Sequence, residues 1–144
     1  MIAIKIFMIG GINIMLVYDS LFLKYNGFEF ELHFSNRILL LTGDSGLGKT
    51  YLYRVLSENS NNYAIRAFNK YTSFLEDNLK LCNNSLIVID NADYILDDKL
   101  RKMILFDPNN QYLIIGRDCA GLNLTRDCLV TLRKEGNRIE MNRL

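Results

Sequence analysis

The chain has 144 residues, enough for one domain with a substantial core. Apolar residues make up 49% and there is one proline, which excludes a disordered chain, while a net charge of +1 leaves no basic footprint that demands nucleic acid. Cys82, Cys119 and Cys128 are odd in number and lack C-x-x-C spacing, so neither a disulfide framework nor a zinc site is expected, and reduced cytosolic thiols are the reading.

The opening run Met1–Ile9 is apolar apart from Lys5. It is broken by Gly10-Gly11, lacks a small-residue cleavage site and is too short to cross a bilayer. It reads as two strands, about 2–9 and 12–18, around a Gly-Gly turn. The alternative makes Met15 the natural start and residues 1–14 a translated extension. Phe28, Phe30, Leu32 and Phe34 alternate with Glu29, Glu31 and His33, a strand with one buried face that leaves His33 toward solvent. Asn36-Arg37 then turns the chain into Ile38–Thr42, a short buried strand.

Gly43-Asp44-Ser45-Gly46-Leu47-Gly48-Lys49-Thr50 follows and fits G-x-x-x-x-G-K-[ST] at every fixed position. The next segment, Tyr51–Leu56, reads as a helix. A strand aims the loop, and its glycines allow turns that a Cβ would block, so that successive N–H groups converge. A helix starting at Lys49-Thr50 points its free N–H groups at the same place. This is a phosphate-binding loop. Lys49 would reach the β- and γ-phosphates, Thr50 would ligate Mg²⁺, and the nucleotide-binding set is Gly43 through Tyr51.

Ser57–Asn62 is a polar break, 63–68 a strand, and Tyr71–Leu81 a helix with Phe74, Leu75, Leu79 and Leu81 as apolar positions. Leu86–Ile89 is a continuous apolar run, as in a strand buried on both faces. It ends in Asp90, the Walker B pattern, in which an acid at a strand tip beside the phosphate loop holds Mg²⁺. Asp97 caps a helix through Leu105 that Asp107-Pro108 closes. Tyr112–Ile115 is the next buried strand. Leu129–Leu132 and Arg138–Met141 form a hairpin around Glu135-Gly136-Asn137. Its cations, with Arg126 and Arg143, read as a solvated face. Strands alternating with helices imply a single α/β domain over 1–144, with a ligand at the C-terminal edge of the strands.

With the phosphate loop and Walker B one strand–helix unit apart, residues 20–120 resemble the additional-strand class of P-loop NTPases, which includes AAA-type, ABC-type and RecA-like ATPases. The stretch from Leu23 through Phe34 to Ile38 looks like the opening of SMC- and RecF-type heads. The resemblance implies a three-layer α/β P-loop NTPase fold. Its mainly parallel central sheet would place strand 38–42 beside 112–116, then 86–90, then 63–68, with antiparallel N-terminal strands and the C-terminal hairpin added. It also implies ATP or ADP with Mg²⁺, metal ligation by Thr50 and Asp90, and catalytic roles for Lys49 and Arg117, with Asp93 a third catalytic candidate by its nearness in sequence. A long coiled coil, an L-S-G-G-Q segment and a second lobe are missing, which leaves a small stand-alone core. GTP is disfavoured, because Asn69-Lys70-Tyr71-Thr72 lacks the acid of N-K-x-D.

Hydrolysis is expected to be weak. Many members of the class follow the Walker B aspartate with a water-orienting glutamate; here stands Asn91, whose amide accepts no proton. Asp93 is the nearest substitute, its alternative being an exposed acid at a helix start. Arg117 stands where the resemblance puts a γ-phosphate sensor, its alternative being a salt bridge with Asp118 or Asp90. Tyr25 or Tyr18 could stack on adenine by analogy with ABC-type ATPases, but the short spacing to Lys49 favours core packing. The expectation is a cytoplasmic ATP-binding protein with weak or partner-dependent hydrolysis, assisted by a protein partner or a second copy. Membrane and nucleic acid are not indicated. The rivals are a nucleotide-gated module without turnover and, last, a small-molecule kinase.

Overall fold

The computed structural model describes residues 5–9, 12–43, 48–117 and 121–144. Strands β1 (Lys5–Ile9) and β2 (Ile12–Leu16) pair antiparallel as a ribbon of their own. The Gly-Gly turn expected between them lies outside the described residues. Strands β3 (Ser20–Tyr25) and β4 (Phe28–His33) form a hairpin across Asn26 and Gly27, at φ 47° and 80°. Two positive φ values in a two-residue loop give the turn whose twist matches that of its strands. The chain continues through β5 (Ile38–Leu41), α1 (Lys49–Glu58), β6 (Ile65–Phe68), α2 (Leu75–Lys80) and β7 (Leu86–Ile89). It ends with α3 (Ala92–Ile95), α4 (Asp98–Phe106), β8 (Gln111–Ile115), β9 (Leu129–Glu135) and β10 (Arg138–Arg143).

Eight strands make one sheet in the order β3-β4-β10-β9-β5-β8-β7-β6. From β9 to β6 every neighbouring pair is parallel. Beyond β9 the β9–β10 and β3–β4 pairs are antiparallel and β10–β4 is parallel. The run β5, β8, β7, β6 has the expected order. The expected three-layer fold with a mainly parallel sheet does not form: the sheet is mixed and curls into a half-barrel, with few helices among the described residues.

Helix length and strand faces explain the difference. The helices have ten, six, four and nine residues, too few turns to tile both faces of eight strands. The outer strands bury one face only. Leu21, Leu23, Phe30, Leu32, Val130, Leu132, Ile139 and Met141 share a core with Leu52, Val55 and Leu56 of α1. Phe22, Lys24, Glu29, His33, Arg133 and Arg138 on the same strands are exposed. The outer strands therefore bend around α1 and need no helical layer outside them. Strands β5, β7 and β8 are buried on both faces. Ile38 and Leu40 meet the second core, with Leu79, Ala92, Leu100 and Ile104 from the other helices.

Two local outcomes bear on the site. Asp97 caps α4 as expected, its carboxylate accepting the Leu100 N–H at 2.8 Å. The helix expected over Tyr71–Leu81 starts only at Leu75. The Asn69 N–H donates to Thr72 Oγ1 and the Tyr71 N–H to Asn69 Oδ1, each at 3.0 Å, and Phe74 is left-handed at φ 56°. These side-chain bonds use up backbone donors and hold residues 69–72 as a turn. Leu79 is buried as expected, whereas Phe74 and Leu81 are 79% and 77% exposed.

Candidate functional site

Four parallel strands end along one edge of the sheet, and each contributes the residues just beyond its tip. Thr42-Gly43 follows β5, Asn69-Lys70 follows β6, Asp90-Asn91 follows β7 and Gly116-Arg117 follows β8. Helix α1 begins at the same edge. A cavity of about 470 Å³ lies there, lined by Gly48, Lys49, Thr50, Lys70, Asp90, Asn91, Asp93, Tyr94, Gly116 and Arg117 among others. Lys49, Thr50, Asp90, Asp93 and Arg117, picked from three separate stretches of sequence, all reach it. Asp44, Ser45, Gly46 and Leu47 of the loop lie outside the described residues.

The start of α1 leaves backbone donors free of side-chain caps. Gly48 caps it in the left-handed region at φ 92°, without a side-chain cap, and no acid occupies the first turn. The first N–H groups of a helix have no acceptor within it, and the helix dipole makes that end positive. Lys49 Nζ donates to the Gly43 carbonyl at 2.5 Å, tying together the two ends of the glycine-rich loop.

Opposite stands Asp90, only 8% exposed. Burial pushes its carboxyl above the usual carboxylate range; the Asn91 N–H bond to Oδ1, at 2.8 Å, and the charges of Lys49 and Lys70 pull the other way. No group of three or more His, Cys, Asp or Glu side chains able to hold a metal occurs among the described residues. One carboxylate with one hydroxyl, from Thr50, suits a Mg²⁺ ion that keeps water and phosphate oxygens as its other ligands.

Asp93 has a structural engagement of its own. Its Oδ2 accepts the Arg117 N–H at 2.6 Å. Its carboxylate packs against Gly116, where an added Cβ would stand 3.1 Å from both oxygens. Thr42 Oγ1 donates to the Arg117 carbonyl at 2.8 Å. The Arg117 peptide is held from both sides while its exposed side chain borders the cavity. Asp118, its suggested partner, lies outside the described residues.

The tyrosines divide differently. The Tyr51 ring packs against Tyr25, Phe28 and Phe30, with centroids 5.6, 5.8 and 5.8 Å away, so that ring and Tyr25 are occupied in aromatic packing. The Tyr18 hydroxyl accepts the Ala64 N–H at 2.9 Å, and its backbone exchanges two 2.9 Å bonds with the Gln111 side chain. Those partners precede β6 and open β8, at the edge opposite the cavity, so Tyr18 packs and does not meet a nucleobase. His33 is exposed beside Glu31, 3.0 Å from Oε1, away from the site.

Sequence reasoning missed Lys70 and Tyr94. The Lys70 ammonium lies 5.3 Å from the Tyr71 ring centroid and 5.9 Å from that of Tyr94. The signal was a lysine just past β6, a strand whose Phe68 pairs with Ile89 immediately before Asp90. A second cavity of about 440 Å³ shares Thr50, Lys70, Asp90 and Asn91 with the first and adds Tyr53, Arg54 and Tyr71.

No known protein family matches the chain, and no curated protein is similar to it. No helix among the described residues is long and apolar enough to cross a membrane. The chemistry of the site therefore rests on its geometry.

Proposed function

We propose that the chain binds Mg·ATP where β5 to β8 end, and hydrolyses it slowly unless a partner or a second copy completes the site. The observation that carries this is the uncapped, glycine-led start of α1, with Lys49 and Thr50, sharing one cavity with the buried carboxylate of Asp90. A polyanion entering it meets free N–H groups and two lysines, and its cation meets Asp90 and Thr50. The position of β8 between β5 and β7 supports the additional-strand resemblance; in the kinase–GTPase arrangement β5 and β7 would pair directly.

A binding module without turnover is the second reading, favoured by the acid–base groups. Asn91 fills the glutamate position in a left-handed conformation, φ 55°, and Asp93 is engaged with Arg117. Phosphate release from Mg·ATP by the isolated chain, with and without rising protein concentration, separates the two. Slow release that climbs with concentration supports assisted hydrolysis; none at any concentration supports the module.

Lys49→Ala is the test of the site itself. Nucleotide affinity should be lost while the fold is kept, because the ammonium bonds to a loop carbonyl, that of Gly43. The parent should gain about 2.7 kcal/mol of stability at a hundredfold excess of Mg·ATP over Kd. Equal affinity in parent and variant, or no thermal shift in the parent, overturns the assignment.

A further inference from the structure

We infer that Lys70 is an in-chain cation for the terminal phosphate and makes the site prefer a nucleoside triphosphate to a diphosphate. The inference deepens the proposed function and rests on it. Across the sheet edge the order is β5, β8, β7, β6, so Asp90, at the tip of β7, stands between the α1 start and Lys70. Asp90 and Thr50 would hold a Mg²⁺ ion, which would supply charge neutralisation to the terminal phosphates of a bound triphosphate. The carboxylate that faces this ion therefore marks the terminal-phosphate end of the cavity. Lys49 approaches that end from α1, and Lys70 from the opposite side.

What holds Lys70 is weak and local. It is exposed, and its ammonium rests between the rings of Tyr71 and Tyr94, themselves 80% and 79% exposed. A water-exposed cation–ring contact is far weaker than a charge-assisted bond to phosphate. The rings thus park the ammonium beside the cavity, and a terminal phosphate draws it in. Lys70 also lines both cavities. A diphosphate ends before the reach of Lys70 and gains little from it. The same cation would offset charge that many NTPases neutralise with a residue from a partner.

Calorimetric titration of Mg·ATP and Mg·ADP into the parent, Lys70→Gln, Lys70→Arg and Lys49→Ala tests this. Lys70→Gln should lose on the order of tenfold to a hundredfold in ATP affinity, the range for a hydrogen bond to a charged group, and much less for ADP. Lys70→Arg should restore most of the ATP preference, and Lys49→Ala should lose both nucleotides. An unchanged ATP-to-ADP ratio in Lys70→Gln, with Lys49→Ala still inactive in binding, overturns the role of Lys70 and leaves the site standing. Equal losses for both nucleotides, or a failure of Lys70→Arg to recover, also overturn it. A parent that binds neither nucleotide ends both readings.

Discussion

Asp90 carries the tension of this site in one side chain. Its carboxyl is buried at a strand tip, and burial raises its proton affinity above that of the unfolded chain. Its contribution to stability is therefore fully present below the unfolded carboxyl pKa, about 3.9, and is lost as pH rises through the higher folded value. Asp90→Asn keeps an oxygen for the Asn91 N–H and removes that loss. The nucleotide-free variant should melt above the parent at neutral pH, with the gap closing below about pH 4. Thermal denaturation across pH checks it, and a parent that melts higher at neutral pH would refute it. In Mg·ATP the ranking should reverse, since the variant has no carboxylate for the cation.

Elements show where sequence suffices and where it does not. The β3–β4 hairpin depends on Asn26 and Gly27, and an added Cβ at Gly27 meets nothing within 4 Å, so only backbone strain at φ 80° opposes a side chain. Gly27→Ala should cost about 1 kcal/mol in urea denaturation and leave nucleotide affinity unchanged. The Asn-Gly pair is a strong hairpin signal, local and readable from the sequence. Strands β5, β7 and β8 were legible because burial on both faces demands unbroken apolar runs, and Asp97 because a cap is a local bond. The start of α2 was not, since bonds among Asn69, Tyr71 and Thr72 compete with the helix. In the site, Lys49, Thr50 and Asp90 follow from spacing. Lys70 matters only through the register of β6 on β7, which no local pattern encodes.

At the scale of the whole molecule, the outer strands wrap α1, while β5, β7 and β8 lie between α1 and the other helices. Leu52, fully buried, touches a core that draws on both the parallel strands and the outer hairpins. Leu52→Ala should cost about 2–5 kcal/mol and lower the midpoint of one cooperative transition for both halves. Separate transitions for the outer hairpins and the parallel strands would show instead that they fold independently. A half-barrel, unlike a closed one, keeps two borders, here β3 and β6. Each border strand presents a row of backbone donors and acceptors onto which a foreign strand could grow. The exposed cations Lys24 on β3 and Arg66 on β6 stand along those rows. Charge on an edge strand disfavours the addition of a foreign strand, the role that closure has in a barrel.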